Sequence, residues 1–371
     1  PDRHAAAGVA GEWEATAGIA ELADIGAAAD ELGFEYLSCS EHVAVPAEIA
    51  AQRGGTYWDP LSTFGFLAGR TRSIRFLTQV LVLGYHHPLA IAKRYGTLDA
   101  ISGGRVTLGV GVGSLREEFE LLGVEFEGRG GERADDALRA LRASLSASEP
   151  EYAGTHYRFG GLIVEPCAMQ ERLPIWVGGR TQRSLRRAID LGDGWVPFGL
   201  SRSWLREMLE SVEVPDRFEI VLGAGPLDPE DADRTTVDLE KIHAAGATIV
   251  GVTIRASSAD HYISQLRRLA ELAGLEGAIT VTVEQRLAQL EDTVRLLADE
   301  REITRLVTAY GPLVDSGGTP TRWPHCGHRT ASTTSTASSC TAATTSSRWS
   351  APMPIRVSSP VDAPTSRARS T

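Results

Sequence analysis

Hydrophobic positions along this chain fall into two alternating patterns. Short, nearly continuous runs rich in Val, Ile and Leu occur at Phe34–Ser38, Ile74–Leu83, Val106–Val112, Ile175–Val177, Gly194–Phe198, Phe218–Leu222 and Thr248–Ile254. Between them apolar residues recur at helical spacing, as in Leu22, Ile25, Ala29 and Leu32, a stripe that Gly33 ends. Asp59-Pro60 and His87-Pro88 each read as a helix N-cap with proline at the first helical position. Unbroken apolar strands are those of a parallel sheet covered by helices. Seven strand–helix units exceed a doubly wound sheet and fall one short of a closed barrel. The expected fold is therefore α/β, a (β/α)8 TIM barrel that lacks its first strand, which would leave two barrel edges unpaired.

After Gly274 the pattern changes. Leu287, Leu290, Val294 and Leu297 follow a 3-4-3 seam in a charged helix. From Thr319 large aliphatic and aromatic residues become sparse, and burial cannot offset chain entropy. The expected organisation is a barrel over residues 1–276, a helical segment over 277–318 and a low-complexity, disordered tail over 319–371. The tail is almost all Thr, Ser, Ala, Pro, Arg, Gly, Cys and Trp, residues with G or C at the middle codon base. Only two lysines, Lys93 and Lys241, stand among 37 basic residues, a skew that fits a gene of high G+C content. A one-base frame change would move such third bases to the middle, and reading 319–327 back by one base permits "DADAVAALW". The tail thus reads as out of frame, with a natural Ser/Thr-rich linker as the alternative. His325, Cys326 and His328 fall within it, match no closed zinc spacing, and no metal is expected.

A net charge of −11 argues against nucleic acid or a membrane surface as partner. No run of 18 apolar residues and no signal-peptide pattern is visible. The four cysteines lack a framework spacing, which suits a reduced cytoplasmic setting.

Three stretches carry candidate chemistry. "SGGRVTLGVGVGS" ends a strand on Gly109, Gly111 and Gly113. It is not G-x-G-x-x-G, so a dinucleotide crossover is weakly supported; in a barrel mouth, bare backbone would let a flat ring approach. "SCSEHVAVP" places Glu41-His42 at a strand end, where a histidine either exchanges protons near neutral pH or bonds a neighbouring carbonyl. "PIWVGGRTQRSL" is a strand, a Gly-Gly turn and a helix start. Its amides at Gly179, Arg180 and Thr181, with Arg180 and Arg183, either receive a phosphate or form a plain turn.

Together "SEHVAVP", "VLVLGYHHPLAIAKRYGTLDAISGGRVTLGVGVGSLREEFELLGVEF", "PIWVGGRTQRSLRRAIDLGDGWVPF" and "GVTI", in that order, resemble the luciferase-like monooxygenase superfamily, in its coenzyme F420-dependent oxidoreductase branch. The resemblance implies a homodimeric barrel with the cofactor ring in its C-terminal mouth, across Gly111 and Gly113. It implies a non-proline cis peptide at Gln79–Val80, and His42 as the proton-transfer residue. It implies cofactor contacts at Glu41, Gln79, Val80, Val82, Gly111, Val112, Gly113 and Glu117, and a phosphate-proximal turn at Gly178, Gly179, Arg180, Thr181 and Gln182. The implied activity is hydride transfer between coenzyme F420 and a small organic substrate. An FMN-dependent monooxygenase using oxygen and an inactive paralogue are the alternatives. Ser114 stands where the sugar-phosphate dehydrogenase branch has a catalytic Glu, which argues against that substrate class. The helical segment 277–318 resembles the start of a SnoaL-like domain of the nuclear transport factor 2-like superfamily, with an extended barrel helix as the alternative.

Overall fold

The computed structural model describes residues 13–14, 16–275 and 355–358. The strands in chain order are β1 (Tyr36–Cys39), β2 (Arg75–Thr78), β3 (Leu81–Val82), β4 (Val106–Gly111), β5 (Tyr152–Ala153), β6 (Arg158–Phe159), β7 (Ile175–Gly178), β8 (Gly194–Val196), β9 (Glu219–Leu227), β10 (Ile249–Ile254) and β11 (Ile355–Ser358). The helices are α1 (Ile19–Glu31), α2 (Ala47–Arg53), α3 (Pro60–Ala68), α4 (Pro88–Ser102), α5 (Arg116–Leu121), α6 (Glu132–Ser144), α7 (Gln182–Leu191), α8 (Arg202–Glu210), α9 (Ala232–His243) and α10 (Ala259–Leu272).

All seven apolar runs are strands, and every pairing except the short β5–β6 hairpin is parallel. The order β2-β1-β11-β10-β9-β8-β7-β4 returns on itself, because β2 also pairs with β4. The run Ile74–Leu83 is divided into β2 and β3 at the Gln79–Val80 peptide, which is cis.

One expectation is corrected here. Backbone register sets Tyr36–Ser38 against Arg356–Ser358 and Val250–Val252 against Ile355–Val357, so β11 lies between β10 and β1. These four residues of the tail are not disordered, and the two edges expected to be open are paired. Sparse composition hid this, because four residues suffice for one rung of a barrel whose other strands already fix the register. The helical segment, its SnoaL-like resemblance, the cysteine–histidine cluster and the rest of the tail lie outside the described residues.

Side chains alternate across the strands. Tyr36, Leu77, Trp176, Val196, Val221 and Ile249 form one buried cluster inside the ring, with Tyr36 edge-on to Trp176 at 5.1 Å. Their neighbours Leu37, Phe76, Val177, Trp195, Ile220 and Val250 join the larger cluster beneath the helices. Two residues further along, four of these six positions shrink, to Ser38, Gly178, Gly223 and Gly251, while the other two carry Gln79 and Phe198. That change in size opens the mouth above a filled core.

Helix punctuation follows the sequence signals: Asp59 accepts the Ser62 amide at 2.8 Å, His87 Nδ1 accepts the Leu89 amide at 3.2 Å, and Gly33 adopts a φ of 80°. Buried carboxylates pin the loops between elements. Asp30, at the end of α1, accepts the amides of Arg72 (2.6 Å), Ser73 (2.9 Å) and Ile74 (2.6 Å) and the Ser73 hydroxyl (2.7 Å). Burial pushes its pKa up, but those four donors outweigh it and hold the carboxyl below its ordinary value.

Candidate active site

The C-terminal ends of the strands bring most of the sequence-predicted residues into one mouth, though not in the roles expected for all of them. The glycines pack closely against neighbouring protein groups. A Cβ on Gly109 would fall on the Thr78 carbonyl oxygen, one on Gly111 would lie 2.5 Å from Val80 Cγ2, and one on Gly178 2.9 Å from Val80 Cγ1. At Gly113, whose φ is 73°, it would lie 2.6 Å from Phe119 Cε2 and 2.9 Å from Val82 Cγ1. The space beside this backbone is therefore filled by protein. Glycine lets the segment Thr78–Val82 and helix α5 pack directly on β4. Sequence alone shows that side chains are missing; it does not show what takes their place.

Glu41 follows β1 and is buried. Its Oε2 accepts the Val82 amide at 2.6 Å and its Oε1 lies 2.6 Å from His86 Nε2, so both oxygens are engaged by protein groups. His42 keeps a fifth of its side chain exposed, at 20%, and stands edge-on to Tyr57 at 4.5 Å. Its Nδ1 lies 2.9 Å from Oε2 of Glu118, a side chain only 1% exposed. The Tyr85 hydroxyl donates to the same oxygen at 2.9 Å, and Oε1 accepts the amides of Val43 (2.5 Å) and Ala44 (3.1 Å).

Burial pushes the Glu118 carboxyl up, but the hydrogen bonds from His42, Ala44 and Tyr85 and the attraction of His42 outweigh it and hold its pKa below the ordinary value. Burial, and then the adjoining Glu118 carboxylate, push the Tyr85 phenol far up. Glu117, expected as a contact, is exposed on α5; its neighbour Glu118 is the acid that reaches His42. The signal was present in the spacing. Leu115 and Phe119 are both buried and four residues apart, and Glu118, three after Leu115, shares their face.

At the end of β7 the Gly-Gly turn is more self-contained than a phosphate cradle. Gly179 donates its amide to the Val196 carbonyl at 3.4 Å, and Thr181 donates its own to Ser184 Oγ at 3.1 Å while accepting the Ser184 amide at 3.2 Å. The Val196 carbonyl and this reciprocal cap together engage two of the three amides expected to face an anion. Gln182 donates to Ser211 Oγ at 2.6 Å, and the Arg180 guanidinium sits 5.6 Å from the Phe198 ring centroid.

Phe198 lines a cavity of about 390 Å³ in the mouth, together with Gln79, Leu222, Gly223, Gly251 and Thr253. Gln79 Oε1 is buried without a hydrogen-bond partner, as is the hydroxyl of Ser38 on the neighbouring strand. A buried polar atom left unpaired costs roughly 1–3 kcal/mol. The volume falls in the range of small-molecule sites, and the lining mixes apolar residues with a few polar ones, Gln79, Arg202 and Thr253, the pattern that orients a small ligand. The residues present fit a flat cofactor of the flavin type: Gln79 would offer its unpaired oxygen to a polar edge, and Phe198 and Leu222 would supply apolar contact.

Residues 1–226 match the family model described as luciferase-like monooxygenase. The chain belongs to that family. An uncharacterised protein of Mycobacterium bovis is 30% identical over 184 residues, covering 46% of this chain and 63% of its own. The F420-dependent glucose-6-phosphate dehydrogenase of Microbacterium testaceum is 28% identical over 179 residues, covering 47% of this chain and 52% of its own. The matches thus span less than two thirds of these curated relatives. The crystal structure of monooxygenase RslO1 from Streptomyces bottropensis shares the fold, with a TM-score of 0.59 at 20% identity over 68% of this chain and 92% of that one. Family members are oxidoreductases or monooxygenases acting on small molecules. No helix among the described residues is long and apolar enough to cross a membrane.

Proposed function

We propose that this luciferase-like protein is an oxidoreductase that takes coenzyme F420 into the mouth of its barrel and serves hydride transfer with a small organic substrate. The observation that carries the reading is the cavity itself, with the unpaired Gln79 carboxamide on its wall and the His42–Glu118 pair at the end of the neighbouring strand. When bound, the deazaflavin supplies or accepts the hydride. The chain's part is to exclude water with Phe198, Leu200 and Leu222, to orient a polar edge through Gln79, and to move a proton at the His42 imidazole. The dehydrogenase of Microbacterium testaceum supports the cofactor class. Ser114 in place of a glutamate argues against carrying over its sugar-phosphate substrate. Association as a homodimer in the cytoplasm belongs to the same proposal.

The second reading, an FMN-dependent monooxygenase, is favoured by the family's description and by RslO1. The two separate in one assay. Reduced F420 should be oxidised by an organic acceptor without oxygen uptake, whereas reduced FMN with stoichiometric oxygen consumption would replace the first reading by the second. His42→Ala should lower turnover by on the order of 10²- to 10⁴-fold with cofactor affinity within a few-fold. Near-normal turnover would return His42 to a structural role.

A further inference from the structure

The polar groups around His42 are more numerous than proton transfer by a lone imidazole requires. A carboxylate accepts hydrogen bonds and donates none. Glu118 Oε1 takes two backbone amides, Val43 and Ala44, and Oε2 takes the Tyr85 hydroxyl and faces His42 Nδ1. Each contact at Oε2 must therefore be a donation to it, so Nδ1 of His42 carries a hydrogen. In the neutral ring that leaves Nε2 bare.

We propose that Glu118 is the positioning residue for His42: it fixes the Nδ1–H tautomer, so that Nε2 is the atom that takes up and returns the proton. The inference rests on the reading of His42 as the proton-transfer group. It extends that reading to a residue beyond three intervening strands, β2, β3 and β4, 76 positions from its partner. The same carboxylate ties the backbone immediately after His42 to α5, so ring orientation and tautomer are set by one side chain. Other titratable or aromatic groups near the ring are Tyr85 from the turn after β3, Tyr57 from the loop before α3, and Glu41, whose oxygens are engaged by Val82 and His86.

Geometry makes the isosteric variant informative. In Glu118→Gln the carboxamide oxygen has to occupy the Oε1 position, because two backbone N–H groups point there. Its NH2 then faces Nδ1 and the Tyr85 oxygen. A donor opposite Nδ1 forces that nitrogen to accept, and the hydrogen moves to Nε2. The variant should thus invert the tautomer while keeping the shape of the site.

The test is a long-range proton–nitrogen NMR spectrum of the ¹⁵N-labelled full chain, recorded well above the imidazole titration range, with the His42 signals identified by their loss in His42→Gln. The expected result is Nδ1–H in the wild type and in Tyr85→Phe, and Nε2–H in Glu118→Gln. Turnover of Glu118→Gln should fall about 10²- to 10⁴-fold, since a misassigned tautomer removes the base. An Nε2–H ring in the wild type overturns the proposal even if no variant folds. So does an unchanged tautomer in a folded Glu118→Gln. An inverted tautomer with undiminished turnover upholds Glu118 as the positioning residue and instead refutes His42 as the proton carrier.

Discussion

Gly113→Ala is the sharpest test of why the glycines lie at the end of β4. The backbone φ is 73°, and an alanine Cβ would stand 2.6 Å and 2.9 Å from two ring carbons of Phe119 and 2.9 Å from Val82 Cγ1. An alanine in the left-handed region costs roughly 1–2 kcal/mol. Carbon atoms prefer about 3.5–4.0 Å, so the contacts require a shift near an ångström. Phe119 has little freedom to give way: it is fully buried, with Tyr85 at 4.8 Å and Phe126 at 5.3 Å between centroids. Overpacking of this kind typically costs about 1–3 kcal/mol. The sum is about 2–5 kcal/mol. Gly123→Ala supplies the control, because its φ is 66° and nothing lies within 4 Å of the added carbon. It should lose only the conformational part, about 1–2 kcal/mol. Urea unfolding of both variants, read as ΔG from midpoint and slope, measures the difference. Equal losses would refute the packing account and reopen the idea that this backbone is kept bare for a ligand.

The remaining expectations concern the loops, acid stability and the last strand. Asp30→Ala should destabilise by about 1–3 kcal/mol, because the buried Ile74 amide loses its acceptor; a change below a few tenths in urea unfolding would refute the pinning role. Asp30 and Glu118 both have folded pKa values below their ordinary ones, so their contribution is complete above the unfolded carboxylate range and is lost as pH falls through the depressed folded values. Stability should therefore decline with acid, and Asp30→Asn should make that decline shallower; an unchanged acid slope would contradict the assignment. Deleting residues 355–371 should weaken the protein and speed amide exchange in β1 and β10, since β11 supplies backbone partners to both. Unaltered exchange at Tyr36–Cys39 would show that β11 contributes nothing there.

Much of the fold could be read from the chain because its strands are buried on both faces and spell themselves as unbroken apolar runs. The stripe through Ile25 and Ala29, the Asp59 and His87 caps and the strand ends bearing Glu41 and Gln79 follow from period and punctuation alone. Less accessible was anything decided by which neighbour arrives from afar. Ile74–Leu83 reads as one strand, yet it divides at Gln79–Val80. Glu117 and Glu118 are chemically identical in the sequence and differ only in the face they present. The amides of Gly179 and Thr181 look free until Val196 and Ser184 are seen to take them. β11 was hidden most fully, since its pairing depends on a gap between β10 and β1 that no local pattern describes.

The central claim, that the mouth beside Gln79 holds a deazaflavin, is tested most directly by equilibrium titration of the full chain with coenzyme F420, followed through cofactor fluorescence. FMN is titrated in parallel, and Gln79→Leu is the variant. The account expects saturable binding of F420 by the wild type and at least about tenfold weaker binding by Gln79→Leu, one lost buried hydrogen bond being worth roughly 1–1.5 kcal/mol. Binding of F420 with the same affinity in the folded variant, or no binding of F420 by the wild type at all, would contradict it.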